Sequence, residues 1–164
     1  MRKNIVGFDV DGTILEGDTL ITFCIFLIKK KWTLIFNLFF IFFCRKKKII
    51  TKLNILKLSR KIDLNLEDYY QNCFKKKLRL RAIESIKYHK NKGDIIFLCS
   101  AAPEILLISF AKEYSIDCIS TRIIYKDGDF NSFGENCNGI EKLNRIKNFI
   151  KLKKIKNFTF EYYG

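Results

Sequence analysis

Asp9 and Asp11 are the residues whose type and spacing could do chemistry. They follow a short apolar run, Asn4 to Phe8 (NIVGF), within Asp9-Val10-Asp11-Gly12-Thr13. Alternate residues of an extended chain point to the same side, so D-x-D at a strand end presents two carboxylates to one small space. One carboxylate can attack phosphorus in line while the other protonates the leaving oxygen and later activates water. Two like charges so close favour a bound cation, and an all-oxygen site with Asp9 and Asp11 as ligands suits Mg²⁺. Gly12 and Thr13 let the chain turn tightly while exposing backbone N–H groups to phosphate oxygens. The plain alternative is an Asx-rich turn, which D-G sequences often make. The apolar strand directly before the pair weighs toward chemistry.

Such a pair needs a sheet edge to hold it. Asp94 to Cys99 (DIIFLC) is a second β-rich run, preceded by the breaker Gly93. Continuous apolar runs of this kind suit strands buried on both faces of a parallel sheet. Pro103 fits the first turn of a helix through Glu104 to Tyr114, and a short strand follows near Asp117 to Ser120. A hairpin is expected from Ile123 to Phe133, turning at Asp127-Gly128-Asp129. Gly139 opens another helix, with Ile140, Leu143, Ile146, Phe149 and Ile150 at helical spacing. Phe158 to Tyr163 reads as a last strand. This alternation predicts an α/β fold, a Rossmann-like doubly wound parallel sheet with its ligand site beyond the strands' carboxyl ends.

Between the first two strands lies a segment with a helical pattern, no proline, and aromatics mixed with lysine clusters. It reads as an inserted helical cap over residues 16–81, leaving 1–15 and 82–164 as the core. Within it, Leu20 to Cys44 is strongly apolar, but Lys29-Lys30-Lys31 divides it. Neither piece reaches the roughly 20 residues that span a bilayer. Three mid-span lysines would also cost several kcal/mol. Two packed cap helices are the favoured reading, and peripheral membrane contact through an interfacial helix is the second.

The 164 residues suffice for one core and a small cap. A net charge of +14 would draw anions, whether nucleic acid, acidic lipid or a phosphorylated metabolite. The lysines are spread along the chain and read as a solvated surface. They form no recognisable recognition motif, so no nucleic-acid partner is expected. Six cysteines without a C-x-x-C pair, beside a single histidine, exclude a zinc pattern and read as reduced packing residues. That histidine, His89, sits in a polar stretch and is expected to be a solvated helix residue. The N-terminus runs directly into a strand without a signal peptide, so the expected compartment is the cytoplasm.

Phe8 to Ile14, FDVDGTI, resembles the first signature of the haloacid dehalogenase superfamily. The resemblance implies that Asp9 is the phosphorylated nucleophile. Asp11 is then the general acid/base, whose backbone carbonyl also binds Mg²⁺. The superfamily's second signature is a Ser or Thr ending the next core strand, matched here by Ser100, then Ala101, in IIFLCSAAP. A hydroxyl followed by a helix N-terminus is a natural anion site, although an ordinary strand-end serine would look the same. Ala102 stands where relatives often carry a second serine. The third signature, a lysine early in a following helix, is matched by Lys142 in NCNGIEKLNRI. Its ammonium would neutralise phosphoryl charge and hold the Asp9 carboxylate. A lone lysine means little in so basic a chain, but the three signatures arrive in the family's order.

The N-C-x-G-x-E-K pattern looks most like the phosphoserine-phosphatase-like branch. Asp18 lies where that branch carries a substrate-facing Glu, and could grip a substrate amine. The alternative is a helix N-cap, as Gly17-Asp18-Thr19 before an apolar run also indicates. Relatives close their metal site with a fourth signature, Y-G-D-S-x-x-D. Gly164 is the last residue here, so weak Mg²⁺ binding and feeble hydrolysis are expected of the chain as given. The resulting expectation is a Mg²⁺-dependent phosphomonoester hydrolase acting through an aspartyl-phosphate. Its substrate would be a small phosphorylated metabolite such as phosphoserine. The rival from another class is a non-catalytic basic module that holds anionic membranes through Leu20 to Lys48.

Overall fold

The computed structural model describes residues 3–43, 48–62, 64–127 and 129–164. Its first strand, β1 (Lys3–Phe8), is buried from Ile5 onward. Directly after it, the Val10 carbonyl accepts the N–H groups of Thr13, Ile14 and Leu15 at 3.2, 3.0 and 2.9 Å, forming one helical turn. The inserted segment follows as α1 (Thr19–Lys30), α2 (Leu34–Phe43), α3 (Lys48–Leu58) and α4 (Leu66–Tyr69), the last running into a π-helical stretch at Tyr70–Phe74. The chain leaves and re-enters the core side by side. Glu16 N–H donates to the Lys77 carbonyl and Arg79 N–H to the Ile14 carbonyl, both at 2.8 Å. Edge-on aromatic packing fills the insertion, with Tyr69 5.2 Å from Phe23 and 5.6 Å from Phe26 between ring centroids.

The remaining elements are α5 (Leu80–Asn91), β2 (Ile95–Pro103), α6 (Ile108–Tyr114), β3 (Asp117–Thr121), β4 (Ile123–Lys126), β5 (Asp129–Phe133), α7 (Gly139–Leu152) and β6 (Phe158–Tyr163). Four strands form one parallel sheet in the order β3-β2-β1-β6. Side-chain alternation divides it cleanly. Val6, Phe8, Ile96 and Leu98 pack with Ile83 and Ile86 of α5 and Phe110 of α6. Ile5, Phe97 and Cys99 pack instead with Ile146 and Phe149 of α7. Helices cover both faces, so the fold is the doubly wound α/β sheet that the strand–helix alternation predicts.

Several local expectations are corrected. The helix expected from Glu104 to Tyr114 is not continuous. β2 continues through Pro103, because Pro103 pairs with Thr121 of β3 after a register shift. A 3₁₀ turn at Glu104–Leu106 then precedes the short α6. The β4–β5 hairpin forms as expected, with Asp127 in the left-handed region at φ 53°, while Gly128 lies outside the described residues. Cys24, Cys73, Cys99 and Cys137 are buried free thiols, but Cys118 is exposed; Cys44 also lies outside the described residues. Of the two apolar cap helices, α1 packs as expected, burying Phe23, Cys24, Phe26 and Leu27. α2 does not, burying only Leu34 and Leu38. A helix apolar on every side can turn only one stripe toward a core.

Candidate active site

β1 lies between β2 and β6, so the residues following Phe8, Leu98 and Tyr163 gather at one edge of the sheet. The Asp9 N–H donates to the Tyr163 carbonyl at 2.8 Å, carrying the ladder one residue beyond the strand. Ile5, Gly7 and Asp9 therefore project toward α7. Gly7 makes this layer possible. A Cβ there would sit 2.7 Å from the Phe97 ring and 2.8 Å from the Tyr162 ring, so only glycine lets both rings close over the strand.

α7 begins at the cap Asn138, whose side chain accepts the Gly139 N–H at 2.9 Å. From the first turn Lys142 reaches back, placing Nζ 2.9 Å from Asp9 Oδ2. The other Asp9 oxygen accepts the Val10 N–H at 2.8 Å. Lys142 also lies 5.4 Å from the centroid of the Tyr162 ring. Burial alone would push the ammonium down, but its interactions with Tyr162 and Asp9 outweigh this and hold it above its ordinary value.

Beyond the buried Val10, Asp11 Oδ1 accepts the Thr19 N–H at 2.7 Å and the Thr19 hydroxyl at 2.5 Å. Burial pushes the Asp11 carboxyl above the ordinary aspartate range. The Thr19 hydrogen bonds oppose this, while the charges of Asp18 and Asp9 add to it. A carboxyl that keeps its proton to higher pH suits a general acid. The expected phosphate cradle at Gly12 and Thr13 is corrected. Gly12, at φ 75°, donates its N–H to the carbonyls of Leu15 (3.0 Å) and Gly17 (2.9 Å), and Thr13 donates to Val10. The turn itself uses these N–H groups.

Asp18 is the N-cap of α1, its side chain accepting the Ile21 N–H at 2.9 Å. Its charge nevertheless reaches Asp11 and also Lys52 of α3. Ser100 is fully buried, and its hydroxyl oxygen accepts the Ala102 N–H at 3.0 Å. Because β2 continues to Pro103, Ser100 does not abut a helix N-terminus. Among the described residues no hydrogen bond joins it to Asp9 or Lys142. The Ala101 carbonyl accepts from Lys52 Nζ at 2.6 Å and from the Thr121 hydroxyl at 2.8 Å.

Sequence reasoning missed Lys52, Thr19 and Tyr162. Lys52 also donates to Asn136 Oδ1 at 2.8 Å, tying α3 to the segment just before α7. Burial holds its ammonium below the ordinary lysine value, against the smaller opposing pull of Asp11 and Asp18. Nothing local separates Lys52 from the other lysines. His89 is corrected as well. It is only 4% exposed, with Nδ1 2.8 Å from Asp94 Oδ2 and Nε2 3.1 Å from the Tyr163 hydroxyl. At the end of α5 its ring turns inward to partners adjoining the sheet, which its polar sequence neighbours conceal.

Asp9 and Asp11 offer hard oxygens with lone pairs beyond those used in their hydrogen bonds. Mg²⁺ is commonly held by one or two carboxylates completed by waters and substrate phosphate oxygens, and these two side chains fit that pattern. Among the described residues, no group of three or more His, Cys, Asp or Glu side chains gathers as a metal site.

The doubly wound sheet carries an Asp–Lys pair at its carboxyl edge, with Asp11, its carboxyl raised by burial, two residues beyond Asp9. The chain belongs to the haloacid dehalogenase-like hydrolase (HAD) family, which matches it over residues 6–164. No curated protein matches it. Among solved structures it is similar to a protein of unknown function from Bordetella pertussis Tohama I, with 15% identity and a TM-score of 0.81, covering 99% of this chain and 82% of that one. It is also similar to a phospho-aspartyl intermediate analogue of phosphoserine phosphatase, with 18% identity and a TM-score of 0.65, covering 99% and 78%. A phosphoserine phosphohydrolase-like protein from Francisella tularensis subsp. tularensis SCHU S4 aligns at 18% identity and a TM-score of 0.58, covering 98% and 76%.

Proposed function

We propose that this hydrolase is a Mg²⁺-dependent phosphomonoesterase that transfers the phosphoryl group to Asp9. The observation that carries the reading is the 2.9 Å contact of Lys142 Nζ with Asp9 Oδ2 at the sheet's carboxyl edge. An Asp9 carboxylate oxygen attacks phosphorus, the ester P–O bond breaks, and Asp11 gives its proton to the departing alkoxide. Asp11, now a carboxylate, takes a proton from water as that water attacks the acyl phosphate. This releases phosphate and regenerates both side chains. Lys142 keeps Asp9 in place and opposes the charge on the transferred group. Bound Mg²⁺, held by Asp9 and Asp11, would screen charge between the phosphate and the carboxylates.

A small metabolite such as phosphoserine suits the mouth of the site. The charge of Asp18 reaches Lys52 there, and such a pair matches a substrate's amine and carboxylate. Ser100 and the backbone around Ala101 remain candidates for phosphate contact, as does the Thr13 hydroxyl. The test is phosphate release from phosphoserine and p-nitrophenyl phosphate, with acid trapping of hydroxylamine-labile phosphoprotein. Mg²⁺-dependent release and trapping that vanish in Asp9→Asn, with circular dichroism unchanged, are expected. Mg²⁺-independent behaviour, or an Asp9→Asn variant that still traps phosphate, overturns the proposal.

A further inference from the structure

We infer that the exposed aromatic face of α2 docks the protein onto an anionic lipid bilayer surface, lying in the plane of the interface. Leu34 and Leu38 turn inward. Phe36, Phe39, Phe40 and Phe43 are 68%, 72%, 68% and 76% exposed, and Ile35 and Phe42 join them at 47% and 53%. These positions form one continuous side of the helix. Trp32, 69% exposed, extends it. Trp32 with Phe36 and Phe39 with Phe43 make two ring pairs, at 6.3 and 6.0 Å between centroids. A contiguous apolar patch of this kind on a basic protein marks an interaction site. The ten residues of α2 rise only ~15 Å, half a bilayer core, so the helix can lie in a membrane surface but not cross it.

Charge selects the occupant. From residue 19 to 62 the sequence holds eleven Lys and Arg and no Asp or Glu. Lys29 and Lys31 stand exposed before the face and Lys48 beyond it. Aromatics flanked by lysines combine apolar insertion with attraction to acidic headgroups. A second copy of the chain would instead bring two strongly basic segments together, which like-charge repulsion opposes. The inference is independent of the chemistry at Asp9, so either can fail without the other.

Trp32 is the sole tryptophan, so fluorescence excited selectively at tryptophan reports on this face alone. The full chain is mixed with phosphatidylcholine vesicles, with or without phosphatidylglycerol, and followed by flotation and emission. Expected are flotation with the phosphatidylglycerol vesicles, a shift of Trp32 emission to shorter wavelength, and weakening of both by salt. Phe39→Asn/Phe43→Asn should lower partitioning at least tenfold with the melting temperature kept. Leu152→Asn, on the exposed side of α7, should leave partitioning unchanged. Failure to float with acidic vesicles overturns the inference, as does equal binding to neutral ones. Partitioning indifferent to the α2 substitutions overturns it too. An emission shift that follows protein concentration without lipid overturns it in favour of self-association.

Discussion

Lys142→Met separates a catalytic contact from a structural one. At 2.9 Å, unit charges attract by about 6 kcal/mol at an effective dielectric of ~20 and about 1.4 kcal/mol in bulk water. The two side chains are 19% and 29% exposed, between those limits. Burial opposes the ammonium's charge, so most of the attraction offsets desolvation. The net loss of stability should be about 1 kcal/mol, lowering the melting temperature by ~2–4 °C. Chemistry should suffer far more. Removing a fixed cation from beside a transferring phosphoryl group should cost ~10²–10³-fold in turnover, or about 3–4 kcal/mol. The assays are differential scanning fluorimetry, phosphate release from p-nitrophenyl phosphate, and trapping of phosphorylated Asp9. A variant within about threefold of the parent in release and trapping (~0.7 kcal/mol) refutes the reasoning. So would a loss of melting temperature large enough to account for the lost turnover.

Gly7→Ala forces a methyl group against the Phe97 and Tyr162 rings. It should destabilise the fold by about 1–3 kcal/mol, read as a lower urea midpoint. Burial raises the Asp11 carboxyl, so the folded state holds this proton more tightly than the unfolded chain. This contribution is present below the ordinary aspartate range and is lost as pH rises through the folded value. Asp11→Asn should remove that pH dependence, match or exceed the parent's melting temperature at neutral pH, and abolish turnover. A lower melting temperature at neutral pH would contradict it. His89→Leu strips Asp94 and the Tyr163 hydroxyl of a partner and should cost about 1–3 kcal/mol, seen as faster amide exchange along β1 and β6.

The sequence by itself determined the central strands, because NIVGF and DIIFLC are apolar runs that suit burial on both faces of a sheet; the run from Phe158 forms a strand too, at the exposed edge. It also singled out Asp9 and Asp11 as candidates, since a D-x-D after such a strand is a local pattern. The Asp18 cap is local in the same way. Lys142 was legible only through the order of its neighbours. Its contact with Asp9 spans 133 residues and depends on α7 lying against the Gly7 face. Tertiary structure alone decided that Lys52 faces the site, that His89 is buried, and that β2 runs past Ser100. It also decided that α2 keeps its aromatic side in the open. Periodicity reports which faces of an element are apolar; it cannot say which of them finds a partner, because that depends on elements distant in sequence competing for one surface.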